Sequence, residues 1–294
     1  MSSEKKGMIA ASTAYVIFGL SYLFSKMALN ITNPIILLTV RFTITFILLN
    51  LLVVTGLMKL NLKGKNILAA IGLGLIQPVL YFFLENYGLS YTTTSFTGMI
   101  SALCPVFTTV LGAIFLKEMP KKKQWLCICV SIAGVLMVSL KGSSGSNTLL
   151  GCACLLLAYF SGSFYSLLVR KLSKDFSAFE LTYIMFTVGF VFFLGFSFVQ
   201  YGGETVGMLA DAISHRDFVI AALYLGGLSS VGAYMLANYS LAKLPVARQS
   251  IFQNMSTVVS VLAGVIIMGD AFTWVHLAAF ALILGGVWGV NKYA

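Results

Sequence analysis

Charge is scarce in this sequence. Only 10% of its 294 residues are Asp, Glu, Lys or Arg, and nine of them are acidic. A soluble domain carries about 25% charged residues, so a water-facing surface on this scale is excluded. Histidine is scarcer still, with only His215 and His276. The patterns HExxH, GxSxG and the P-loop do not occur, which removes zinc-hydrolase, serine-hydrolase and ATP-driven readings. Cys104, Cys127, Cys129, Cys152 and Cys154 lie inside apolar runs, with no CxxC pair and no nearby His. They read as small packing residues rather than metal or redox groups. Neither a metal nor a cofactor is expected.

What is abundant is apolar surface. Hydrophobic residues make up 59% of the chain, and the mean hydropathy is +0.95. One soluble core could not hide this much, so the solvent must be lipid. The net charge of +10 comes from short basic clusters between apolar segments. That pattern orients helices and offers no stripe for nucleic acid.

A membrane span needs about 20 apolar residues. Ten segments qualify: 8–29, 33–57, 66–88, 92–116, 123–140, 149–170, 177–201, 217–240, 245–268 and 272–291. The first is too long for a signal-peptide core and lacks a small-residue cleavage site, so it reads as a membrane helix. The longest connection, near Tyr201 to Arg216, reads as a loop. Lys5, Lys6, Lys59, Lys63, Lys65, Lys117, Lys121 to Lys123, Arg170, Lys171, Lys174, Lys243 and Lys292 all fall on one side if there are ten spans. This bias predicts a multi-pass plasma-membrane protein with both termini in the cytoplasm.

The chain also repeats itself. Gly7 to Thr43 aligns with Gly151 to Thr187 at a constant offset of 144, placing Tyr15 on Tyr159 and Lys26 on Arg170. Beyond that an offset of 152 places Asn86-Tyr87 on Asn238-Tyr239, Glu118 on Asp270 and Gly134 on Gly286. The boundary falls between 1–145 and 146–294. Each half holds five helices, an odd number, so the halves enter the membrane in opposite directions. The predicted fold class is all-α integral membrane, with ten transmembrane helices as two inverted five-helix repeats and a central site between the halves.

Certain motifs carry a resemblance over nearly the whole chain. They are Arg41-Phe42, the stretch Tyr87 to Ser95 running into Cys104-Pro105-Val106-Phe107, the helix end Phe115 to Glu118, and Ala133-Gly134-Val135. The second half repeats the plan with Tyr239 to Pro245 and Met268-Gly-Asp270. With these the chain resembles the EamA-type branch of the drug/metabolite transporter superfamily, each half matching one repeat. It departs from the pattern where Thr257 stands for Pro105 and where Asp270 replaces the usual Glu. The resemblance implies a carrier that moves a small metabolite, an amino acid, an amine or a related compound, by alternating access.

Polar side chains inside spans face a cavity or another helix, because lipid offers them no partner. The ninth segment is the most polar. There Gln249 and Gln253 share a face with Ser256 or Thr257, and Asn254 lies beside them, which predicts a cavity lining; interhelical hydrogen bonding is the other reading. Tyr234 and Asn238 share a face in the eighth segment. Tyr81 and Glu85 do so in the third, where a carboxylate one turn from an aromatic ring suits an ammonium group. Arg41 lies roughly 12 Å into the second segment and needs a partner. If Glu85 is that partner, Glu85 is not free for substrate, and both readings stand. Tyr15, Tyr159 and Tyr165 lie well inside their helices, open to a substrate-facing role. Arg41, Asn86 and Tyr239 are read as structural or gating residues. Gly285 and Gly289 form a small-residue spacing that suits packing within the chain or a homodimer seam.

The expected partners are therefore the lipid bilayer, a small-molecule substrate and a coupling proton or ion, for a monomer or homodimer. A lipid or lipid-carrier flippase of the same fold is the alternative. A membrane-embedded enzyme is disfavoured by the lack of clustered His, carboxylates or a nucleophile.

Overall fold

The structure is a computed structural model that describes residues 3–115, 121–142, 148–244 and 246–293, without the side chains of 138–142, 246–251 and 291. Every regular element among the described residues is helical. The first three spans are α1 (Ser3–Leu29), α2 (Pro34–Val54) and the pair α3 (Ile67–Gly74) and α4 (Tyr81–Ser90). The fourth is α5 (Thr94–Ser101) with α6 (Cys104–Phe115), and the fifth is α7 (Lys122–Gly142). Then come α8 (Leu149–Leu172), α9 (Ala178–Tyr201), the short α10 (Glu204–Ser214), and α11 (Arg216–Leu223) with α12 (Tyr234–Lys243). The last two spans are α13 (Val246–Ile266) and α14 (Trp274–Lys292). Seven of these spans are long and apolar enough by themselves to cross a membrane, and α7, α13 and α14 complete a ten-span plan with both described ends, Ser3 and Tyr293, on one face. That face, which carries Ser3, is called the N-side, and the opposite one the far side.

Local chemistry explains many of the ends. The Asn33 side chain accepts from the amides of Ile35 and Ile36 at 3.0 Å, and Pro34 follows at the first helical position, where a missing N–H costs nothing. Ser177 and Glu180 form a reciprocal capping box on α9. Glu180 also accepts from Lys65 at 2.6 Å.

Three features depart from the sequence reading. The long connection is not a loop: it holds α10, which buries Thr205 and Ala212 and packs Met208 and Leu209 onto the neighbouring helices. Its Glu204 and Asp211 remain exposed. The third span is broken at Gln77, whose backbone is extended (φ −144°, ψ 118°). Pro78 causes this, since it offers no amide to the helix ladder and pushes the residue before it out of the helical region. The eighth span widens into π-helical turns over Tyr224–Ala233. These wide turns include Ser229, which the offset of 152 pairs with Gln77, so both repeats interrupt the same helix at the same depth.

The packing obeys the two offsets. Gly74 lies against Met185 and Val188, and Gly226 lies against Arg41 and Ile44. Those two sets are repeat mates. A Cβ on either glycine would stand 2.9 or 2.8 Å from its neighbour, so close helix crossing is required at both places. Likewise Gly134 on α7 faces Ala279 and Ile283 of α14, while Gly286 faces Cys127 and Ser131.

The halves interleave rather than sit side by side. The first and second spans pack with the eighth and ninth; the sixth and seventh pack with the third and fourth. Grouped this way the spans form two four-span bodies, each with two spans from each half, and the seam between them is closed by α2 against α9 and by α5 against α13. The first body is α1, α2, α11–α12 and α13. The second is α3–α4, α5–α6, α8 and α9. The fifth and tenth spans pair chiefly with each other, α7 against α14, and join the rest through the apolar cluster that holds Phe96, Met99 and Val261.

Candidate functional site

A cavity of about 90 Å³ lies between the two bodies, room for several waters or a small ligand. The first body lines it with Tyr15, Phe18, Ser21 and Tyr22 from α1, which recur at helical spacing, and with Arg41 from α2. Its eighth and ninth spans add Ser229, Tyr234, Ala237, Gln253 and Ser256. The second body supplies Gln77, Tyr81, Phe82 and Glu85 from the third span, Ser101 and Cys104 from the fourth, and Tyr159, Gly162, Tyr165 and Ser166 from α8.

Two ionisable side chains, one basic and one acidic, face this space from opposite bodies. Arg41 is fully buried. Its Nε donates to Ser230 Oγ at 3.0 Å and its Nη2 to Ser229 Oγ at 3.4 Å. Ser229 Oγ accepts in turn from Ser21 at 2.9 Å. The guanidinium lies over the Phe82 ring, 4.1 Å from its centroid, where the ring's negative face stabilises a cation. Glu85, buried as well, accepts from the Tyr81 hydroxyl at 2.5 Å. Arg41 and Glu85 form no ion pair with each other; Lys65–Glu180 is the ion pair among the described residues.

Aromatic rings frame these groups. Tyr234 touches Phe18, Phe82, Phe186 and Tyr165, with centroids 4.9 to 6.5 Å apart. Tyr81 meets Tyr159 edge-on at 6.1 Å. The Gln77 side-chain amide hydrogen-bonds the Tyr234 hydroxyl across the two bodies, and its Oε1 is buried with no partner among the described residues. The same holds for Gln253 Oε1. A buried amide oxygen left unpaired is costly, and one that lines a cavity is available to what enters it.

Of the residues singled out from sequence, Tyr15, Tyr81, Glu85, Tyr159, Tyr165, Tyr234 and Gln253 line the cavity together. Arg41, read there as structural, joins them. Asn238 stands behind the wall: its Oδ1 accepts from Tyr165 at 2.6 Å and its Nδ2 donates to Thr182 at 2.9 Å. Asn86 donates to the Phe82 carbonyl of its own helix at 2.9 Å. Asn254 and Tyr239 do not line the cavity; Tyr239 lies under the Lys243 ammonium instead. The Gln249 side chain lies outside the described residues. Sequence reasoning missed Gln77, Tyr22 and Ser229. Pro78 was the one available signal for Gln77, because a proline inside an apolar run marks a break with exposed polar groups.

The fold and the cavity have counterparts in known proteins. A sequence model of the EamA-like transporter family matches residues 5–140 and 149–292. An "Uncharacterized transporter YcxC" of Bacillus subtilis is 37% identical over 286 residues, covering 96% of this chain and 92% of that one. An "Uncharacterized transporter" of Archaeoglobus fulgidus is 24% identical over 291 residues, covering 98% of this chain and 99% of that one. Among solved structures, one crystal structure superposes with a TM-score of 0.66 at 16% identity, covering 98% of this chain and 97% of that chain; it speaks for the fold alone. Two family matches, one per half, and a relative similar over nearly the full length place the chain in the EamA-like transporter family.

Proposed function

We propose that this transporter carries a small polar metabolite, an amino acid, an amine or a related compound, across the plasma membrane by alternating access. One observation carries the reading. The cavity holds a buried arginine and a buried carboxyl group with no ion pair between them, one on each body, within a frame of tyrosines. Buried charges in a membrane protein are retained for what passes them. A substrate with an ammonium group answers Glu85 and the tyrosine faces. A carboxylate answers Arg41, whose fork geometry suits it. A molecule with both groups would bridge the two bodies.

The substrate-contacting set is Arg41, Gln77, Tyr81, Glu85, Tyr159, Tyr165, Tyr234 and Gln253. The halves 1–145 and 146–294 supply the repeats, and rocking of the two interleaved bodies exposes the cavity to each side in turn. The basic N-side loops suit the cytoplasm. The role is transport rather than catalysis, and a coupling proton or ion supplies the drive.

A thermal-shift screen of purified protein against amino acids, amines and nucleobases tests this. Stabilisation by a compound bearing an ammonium group, lost in Glu85→Gln, is the expected result. Equal stabilisation of the variant would remove Glu85 from the site.

A further inference from the structure

Two basic residues outside the cavity answer to each other across the repeat. Lys26, near the far end of α1, is the mate of Arg170 in α8. The Lys26 ammonium donates to the carbonyls of Leu89 at 2.9 Å, Ser90 at 3.5 Å and Thr92 at 2.5 Å. Arg170 Nη1 donates to the Leu241 carbonyl at 2.9 Å, and Leu241 is the mate of Leu89. Each cation therefore leaves its own body and takes hold of a helix end on the other. Lys26 does so at the far face and Arg170 at the N-side face.

The two contacts are not equally made. Lys26 reaches three carbonyls, and a second bond reinforces the same seam: Asp270, at the far end of the ninth span, accepts from the Ser95 amide at 2.8 Å. Asp270 is also within electrostatic reach of Lys26. Arg170 holds Leu241 but not Leu244, the mate of Thr92, and its side chain is exposed.

We propose that Lys26 and Arg170 are the paired gate residues of the transport cycle, Lys26 shutting the far mouth in the conformation seen and Arg170 shutting the N-side mouth in the alternate one. The proposal rests on the alternating-access reading. Each cation bridges the bodies only at its own face, so rocking that frees one tightens the other. Tightening at the N-side brings the Leu244 carbonyl to Arg170 as Thr92 now stands to Lys26. A cation on several helix-end carbonyls is a strong contact that can still be released, because the ammonium has water available when the mouth opens.

Cys104 lines the cavity and serves as the reporter. With Cys127, Cys129, Cys152 and Cys154 changed to Ala, a charged methanethiosulfonate reagent is applied to either face of oriented proteoliposomes. Lys26→Met should raise far-side labelling of Cys104 roughly tenfold or more, and Arg170→Met should lower it. Lys26→Arg should keep the parent's ratio of far-side to N-side labelling. A merely structural cap would lower the melting temperature in both variants and leave that ratio unchanged. That result, or no far-side labelling in Lys26→Met, overturns the proposal. Opposite shifts without uptake of any amino acid or amine would uphold the gates and count against the transport reading.

Discussion

The two interleaved bodies share a scaffold and differ in what they bring to the cavity. The second body presents Gln77, Tyr81 and Glu85, where the repeat mates in the first are Ser229, Ala233 and Ala237. The first body presents Phe18 and Arg41, where the mates in the second are Gly162 and Met185. Each bulky or charged group is thus matched by a small or apolar one, and the missing side chain makes room. Tyr81 packs directly over Gly162, where a Cβ would stand only 3.0 Å from its ring. Positions that set helix crossing are kept, as with Gly74 and Gly226 or Gly134 and Gly286. Under the proposed function, movement between two equivalent conformations would preserve the crossings, and holding a polar substrate one way round would abolish equivalence at the cavity.

The severest test gives Arg41 the side chain of its mate. Arg41→Met should weaken substrate binding about thirtyfold or more, the cost of losing a buried hydrogen-bonded charge contact, while the purified protein stays monodisperse. Isothermal titration with a compound found by the thermal-shift screen measures it; unchanged affinity would mean that the first body's charge only supports the fold. Gln253→Ala removes an amide whose oxygen has no partner among the described residues. It should lower proteoliposome transport by about fivefold, on the order of one hydrogen bond, with normal expression. Wild-type rates would place that amide outside the substrate path. The smallest effect probes the scaffold. Gly74→Ala and Gly226→Ala should each lower the melting temperature by about 3–8 °C, the scale of mild overpacking, and by similar amounts. A large difference between them would show that the crossings are not equivalent.

Much of the fold was readable before any coordinates. Apolar length and loop charge located ten spans, and polar matches such as Asn86 with Asn238 exposed the repeat. The interleaving was not readable, because constant offsets state which helices are alike and not which helices touch. A site between the two halves therefore became a site between two bodies of mixed origin. Every cavity tyrosine except Tyr22 stood out, since rings deep in a span are unusual. Ser229 and Gln77 did not, because one small polar residue in an apolar run looks the same whether it caps a neighbour or faces a ligand. The rule that buried charges need partners left two readings of Glu85 open, as partner to Arg41 or as substrate contact. The serines and the Phe82 ring satisfy Arg41 instead, through hydrogen bonds and quadrupole attraction.

The serines that hold Arg41 belong to the other half of the sequence, yet to the same body. At their mate positions the first half has Gln77 and Pro78, and proline offers the guanidinium no side-chain acceptor. Two copies of the first half, assembled by the same symmetry, would bury two arginines and two glutamates and give each arginine one partner at those positions instead of two. The Arg41 end of the cavity is thus encoded by residues nearly two hundred positions apart. Two identical halves cannot spell it and two unlike ones can, so joining both in one polypeptide guarantees that the unlike pair always meets.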